Sequence, residues 1–134
     1  MKKKILSIIG LLLIFGLGLT VTGCVDMETT HLYITNKSTG NIDILIEKQT
    51  FDNGGYNSWP ETVFEQDNVL PDDDVYLKDE PNSSYSYDFP ARYRIIITAA
   101  GGTKFYYPSD GNNGYTTIIG ETRMIFDGER IRRE

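Results

Sequence analysis

Scarcity marks this chain before any motif does. Its 134 residues contain one cysteine, Cys24, and one histidine, His31. A single cysteine cannot close a disulfide within the chain, so any domain here is held by packing alone. A single histidine leaves nucleophilic catalysis poor in its usual general base, and no Gly-x-Ser-x-Gly elbow is present to carry a nucleophile. Basic residues are few, 13 against 19 acidic ones, a balance that disfavours unspecific binding to nucleic acid and to anionic lipid. Residues 31–134 sustain no helical apolar period, and the chain has no internal repeat and no low-complexity block, which argues against helical bundles and solenoids. The one long apolar run, residues 5–19, falls short of the roughly 20 residues of a stable transmembrane helix.

What is present begins with that run. Lys2, Lys3 and Lys4 precede it and Thr20-Val21-Thr22-Gly23 follows. A charged start, a short apolar segment and a tail of small residues are the three parts of a secretion signal, with the lysines retained on the cytoplasmic side. The tail and the next residue, Val21-Thr22-Gly23-Cys24, resemble the lipobox of bacterial lipoproteins, in which an aliphatic residue and two small ones precede a cysteine. Val21 stands where that family more often has leucine. The resemblance implies that diacylglycerol is transferred to the Cys24 thiol and that a lipoprotein signal peptidase cuts between Gly23 and Cys24. The new amine is then often acylated, for example with palmitate. The residue types suit this chemistry, because a thiolate is the strongest side-chain nucleophile for a stable thioether. Two or three acyl chains, at about 0.8 kcal/mol per buried methylene, make a durable anchor. The implied address is a cell membrane or outer membrane, facing the periplasm or the cell exterior. Val25, not aspartate, follows the cysteine, unlike the inner-membrane retention signal of diderm bacteria, which favours an outer-membrane or surface address.

The expected organisation is therefore a signal peptide over residues 1–23, a polar tether over 24–30 and one domain over 31–134. Loss of the signal takes three lysines and no acid, so ten basic residues face nineteen acidic ones and the formal charge falls to −9. About 110 residues suffice for one core and hardly for two.

Beyond the tether the apolar period is two. His31-Leu32-Tyr33-Ile34-Thr35 and Ile42-Asp43-Ile44-Leu45-Ile46-Glu47 alternate on either side of a six-residue turn, which predicts a hairpin. Residues 51–60 (FDNGGYNSWP) read as a long loop, followed by a short strand near 62–65. Pro71-Asp72-Asp73-Asp74 turns the chain into a strand over 75–78. A brief strand is expected at 85–88. The stretch 91–99 (ARYRIIITA) reads as a central strand, and Gly101-Gly102 turns it into a hairpin with 103–107. Runs at 115–119 and 122–126 flank Gly120-Glu121, and Asp127-Gly128 leads into Arg130-Ile131-Arg132. About eight short strands with turn signals every ten residues or so predict an all-β fold, a small antiparallel β-sandwich of immunoglobulin-like architecture preceded by a signal-peptide helix. A small closed β-barrel is the alternative.

Candidate chemistry is sparse. No catalytic residue is assigned and no cofactor is implied; His31 reads as an exposed strand residue. Asp72, Asp73 and Asp74 gather hard oxygen donors in one turn and are weak calcium candidates, and residues 110–114 loosely resemble a calcium loop without its full ligand set. Tyr56 and Trp59, in the glycine-rich loop, are the candidate ligand contacts, with Tyr85, Tyr87 and Tyr115 near other loops, because such rings stack well on sugars or peptides. Arg130, Arg132 and Arg133 form a local basic patch that reads as a charged edge strand. The expected role is a non-enzymatic binding or structural component of the cell envelope. Its partners would be the membrane, through lipid on Cys24, and an envelope protein or glycan. An accessory subunit of an envelope assembly and a glycan-binding module are the nearest alternatives, and a small carbohydrate-active or calcium-dependent enzyme is the remoter one.

Overall fold

The computed structural model describes residues 29–79, 90–109 and 114–134. The signal segment and its expected helix, the lipobox with Cys24, the expected strand at 85–88 with Tyr85 and Tyr87, and residues 110–113 lie outside the described residues. Among those described there is no helix. The strands are β1 (Thr30–Asn36), β2 (Ile42–Gln49), β3 (Phe51–Asp52), β4 (Gly55–Tyr56), β5 (Glu61–Val69), β6 (Asp74–Asp79), β7 (Arg92–Ala99), β8 (Lys104–Tyr107), β9 (Thr116–Thr117), β10 (Gly120–Phe126) and β11 (Ile131–Arg133).

Two sheets stack into a sandwich, and neither closes into a barrel. Sheet one runs β11-β10-β1-β6; sheet two runs β5-β2-β7-β8, with β9 beside β7. Period-two alternation turns one row of each strand inward: Leu32, Ile34, Met124 and Phe126 from sheet one meet Ile44, Ile46, Ile95 and Ile97 from sheet two in one core. Full burial of an aliphatic side chain is worth roughly 1.5–3 kcal/mol, which is what a domain without a disulfide has to rely on. Phe105 packs on Phe126 with ring centroids 4.9 Å apart, closing the core beside β8.

Several expectations need correction. β1 and β2 do not form a hairpin. They belong to different sheets, β1 lying between β10 and β6 and β2 between β5 and β7. Each strand has one apolar face, and facing each other across the core buries those faces. The β1–β10 pair is parallel, Thr30 opposite Gly120 through Asn36 opposite Phe126, so the sandwich is not wholly antiparallel. Residues 51–60 are not all loop: Asn53 (φ 50) and Gly54 (φ 84) make a two-residue turn between β3 and β4, the left-handed pair that such hairpins require. The strand expected near 62–65 extends over Glu61–Val69. Gly120 and Glu121 open β10 rather than separating two runs, and Gly120, at φ +68, donates its N–H to the Thr29 carbonyl at 3.1 Å. Thr29 and Thr30 are buried, and Thr30 opens β1.

Strand register gives the sandwich two distinct ends. Thr30 pairs with Asp79 and Gly120, Lys48 with Glu61, and Gln49 with Arg92. These residues share the end at which the N-terminal segment enters, the near end. Asn36, Ile42, Val69, Asp74, Ala99 and Phe126 mark the far end, where the connections around 37–41, 70–73, 100–103 and 127–130 turn the chain.

Candidate functional site

The near end carries the loop that the sequence singles out. Asn57 pins it to the end of β2: its N–H donates to the Thr50 carbonyl (2.9 Å), its Nδ2 to Thr50 Oγ1 (2.8 Å), and its carbonyl accepts from Gln49 Nε2 (3.1 Å). Pro60, with its fixed φ, then leads into β5. Between these two fixed points Trp59 stands 89% exposed, the largest exposed apolar side chain described. Tyr56 is spent differently. Its hydroxyl donates to the Pro90 carbonyl at 2.9 Å, the Arg92 guanidinium lies 3.8 Å from its ring centroid, and Phe51 meets it edge-on at 5.3 Å. The two candidate contacts therefore sit at one end, but Trp59 alone offers a ring to an outside ligand. Ile119, 44% exposed, adjoins Gly120 at the same end.

Beneath this surface lies a polar cluster unforeseen from sequence. Lys48 Nζ pairs with Asp79 Oδ2 at 2.7 Å, and the Tyr93 hydroxyl donates to the same oxygen at 2.5 Å. Lys48 and Tyr93 are buried in sheet two, and Asp79 reaches them from sheet one, so the cluster ties the sheets together across the near end of the core. The alternation of each strand foretells it: Lys48 follows Ile42, Ile44 and Ile46 in phase, Asp79 follows Val75 and Leu77, and Tyr93 precedes Ile95 and Ile97. A second ion pair joins Arg94 to Glu47, with Arg94 Nε at 2.9 Å and Nη2 also in contact. Tyr115 lies over that guanidinium, 4.8 Å from ring centroid to Cζ, and its hydroxyl is pushed above its ordinary pKa mainly by burial, against the pull of Arg94. Among the described residues, each cluster sets one carboxylate against a cation.

On the outer face of sheet one, Tyr33 stacks on Tyr76 (4.7 Å) and under the Arg123 guanidinium (4.4 Å), while His31 Nδ1 and the Tyr76 hydroxyl share a 2.7 Å hydrogen bond. His31 thus lies on a strand face with its ring engaged by a neighbour. Arg123 also pairs with Glu121 at 3.0 Å and borders an open cleft of about 370 Å3 lined by Glu121, Thr122, Arg123, Arg133 and Glu134. Arg133 donates to Thr122 Oγ1 at 2.8 Å. Glu134 donates its backbone N–H to the Arg123 carbonyl at 2.9 Å. β11 is the edge of its sheet, as the alternation of arginine and isoleucine predicts, and Arg130 and Arg132 lean toward Asp127 at 3.8 and 3.7 Å.

Asp72, Asp73 and Asp74 are not assembled into a cation site. Asp72 pairs with Lys37 at 2.8 Å, holding that amine above its ordinary pKa, and Asp74 Oδ1 accepts from Thr35 Oγ1 at 2.6 Å. Asp73 contributes backbone instead, its carbonyl accepting from the Asn36 N–H at 3.0 Å. Among the described residues, no group of three His, Cys, Asp or Glu side chains is placed to hold a metal ion. The run is a turn whose acids are used locally.

The fold defines the class, a small all-β sandwich. No protein-family model matches the chain, and no curated protein or solved structure matches it.

Proposed function

We propose that the chain is a lipid-anchored protein of the bacterial envelope, held by diacylglycerol on Cys24, and that its sandwich serves there as a non-enzymatic binding or structural component. One observation carries this reading: Val21-Thr22-Gly23-Cys24 follows three lysines and a short apolar run and stands only six residues ahead of β1. The lipobox resemblance supplies the chemistry. The Cys24 thiolate takes diacylglycerol as a thioether, and cleavage between Gly23 and Cys24 frees an amine for further acylation. With aliphatic Val25 after the cysteine, the address favoured is the outer membrane or cell surface. The non-enzymatic part rests on the side chains. Glu47, Asp72, Asp79, Glu121 and Asp127 are each engaged by a cation, and are thus spent on structural ion pairs. The exposed Trp59 supports a contact role with membrane, envelope protein or glycan, and the acidic surface disfavours nucleic acid.

Cys24→Ser in the full chain tests the anchor. Expected is loss of radiolabelled palmitate and glycerol and accumulation of uncleaved precursor. A cleaved product that still carries label and partitions with membranes would sink the reading.

A further inference from the structure

The near end joins three features. The first is the tether. Five residue steps separate Cys24 from Thr29, and at 3.3–3.6 Å each a fully extended chain reaches at most about 18 Å. The point where the chain enters the sandwich is therefore close to the lipid whenever Cys24 is anchored. The second is Trp59, held out 89% exposed on a loop pinned at Asn57 and stiffened by Pro60. The third is Ile119, 44% exposed next to Gly120, whose N–H is bonded to the Thr29 carbonyl at the point of entry. Trp59, just before β5 of sheet two, and Ile119, just before β10 of sheet one, are thus both exposed at the near end.

We propose that the near end of the sandwich lies on the bilayer, with Trp59 inserted at the headgroup boundary and Ile119 beside it. This rests on the lipid-anchor reading. Tryptophan is the side chain that favours this boundary, since its ring is apolar and its indole N–H can stay hydrated. Among the described residues no ring stacks on Trp59 to extend it into a sugar platform, and the nearby Tyr56 ring is covered by Arg92 and Phe51. Neutral headgroups are the fitting surface, because Asp52 and Glu61 lie at this end and the domain is strongly acidic. The docked near end fixes the orientation of the sandwich and leaves the far end turned away from the membrane.

Trp59 is the only tryptophan, so its fluorescence reports this one site. The full chain, processed and lipidated in a bacterial host, is reconstituted in phosphatidylcholine vesicles with plain or brominated acyl chains. For a ring lying about 5–10 Å deep, emission is expected to shift blue and to lose about half its intensity in the brominated vesicles, with aqueous iodide quenching weakened. Protein that floats with the vesicles while Trp59 stays open to iodide and indifferent to bromine overturns the inference and leaves the anchor intact. Protein that does not float overturns the anchor, and the inference with it. Emission that responds only to added peptidoglycan fragments, and not to lipid, assigns the loop to glycan and overturns the membrane contact.

Discussion

The two ends of the sandwich solve opposite problems. At the far end every connection is short, and one buried residue organises two of them. Asn36 donates through Nδ2 to the carbonyls of Gly40 (2.9 Å) and Val69 (3.0 Å), and its Oδ1 accepts from the N–H (3.0 Å) and hydroxyl (2.6 Å) of Ser38. Its backbone bonds both ways with the 70–73 turn, accepting from Asp72 at 2.7 Å and donating to Asp73 at 3.0 Å. The polar groups of this hub are used up among themselves. At the near end an ion pair is buried instead, and the largest apolar side chain faces outward. Local closure specifies the far end, whereas the near end combines a costly internal charge pair with a surface that gains from meeting something else.

This contrast can be broken in order of expected effect. Lys48→Met strands the Asp79 carboxylate in a nearly dry site and should lower the unfolding free energy by about 3–5 kcal/mol, read from urea denaturation. A triple change, Lys48→Met with Asp79→Leu and Tyr93→Phe, should recover much of that loss, because replacing a whole buried polar cluster with apolar groups is often nearly neutral. Asn36→Ala should cost less, about 2–3 kcal/mol, by leaving buried carbonyls of the far-end turns without their donor; equal losses at the two ends would erase the distinction. Trp59→Ala should change stability by under about 0.5 kcal/mol, as an exposed substitution does, and a larger drop would mean that Trp59 serves the core. The smallest effect is at Asp127. The N–H groups of Glu129 and Arg130 hold its carboxylate below the ordinary range. The charged form is thus favoured in the folded state, and its contribution is complete above the unfolded carboxylate value of about 3.9 and lost as pH falls through the lower folded value. Asp127→Asn should remove this small contribution at neutral pH and slightly flatten the acid limb of the stability profile, with little change below the folded value.

Much of the sheet structure was legible. The central strand β7 follows from a run of β-branched residues, and the Gly101-Gly102 and Asp127-Gly128 turns mark the β7–β8 and β10–β11 hairpins, because only a few residues tolerate the left-handed backbone those turns need. Pairing across the core was not legible. Alternation says that β1 and β2 each have an apolar face, but a face is buried equally well beside a neighbour or opposite one, so the partnership of β1 with β10 is a tertiary choice. Two further features were available in the sequence. Asn53-Gly54 is a strong hairpin signal, hidden here by the surrounding glycine and aromatics, and the phase of Lys48, Asp79 and Tyr93 in their strands already places all three inward. Tyr56 and Trp59 could not be told apart by residue type, because their different fates depend on Arg92 and Pro90 arriving from β7 and its approach.

The most direct test compares the ends on the membrane itself. Leu70 is 51% exposed at the far end, so Leu70→Trp in a Trp59→Phe background moves the single fluorophore from one end to the other. With both lipidated proteins on brominated vesicles, quenching by lipid is expected at position 59 and quenching by aqueous iodide at position 70. The same quenching pattern at both positions, or lipid quenching at position 70 alone, would contradict a sandwich that stands on its near end.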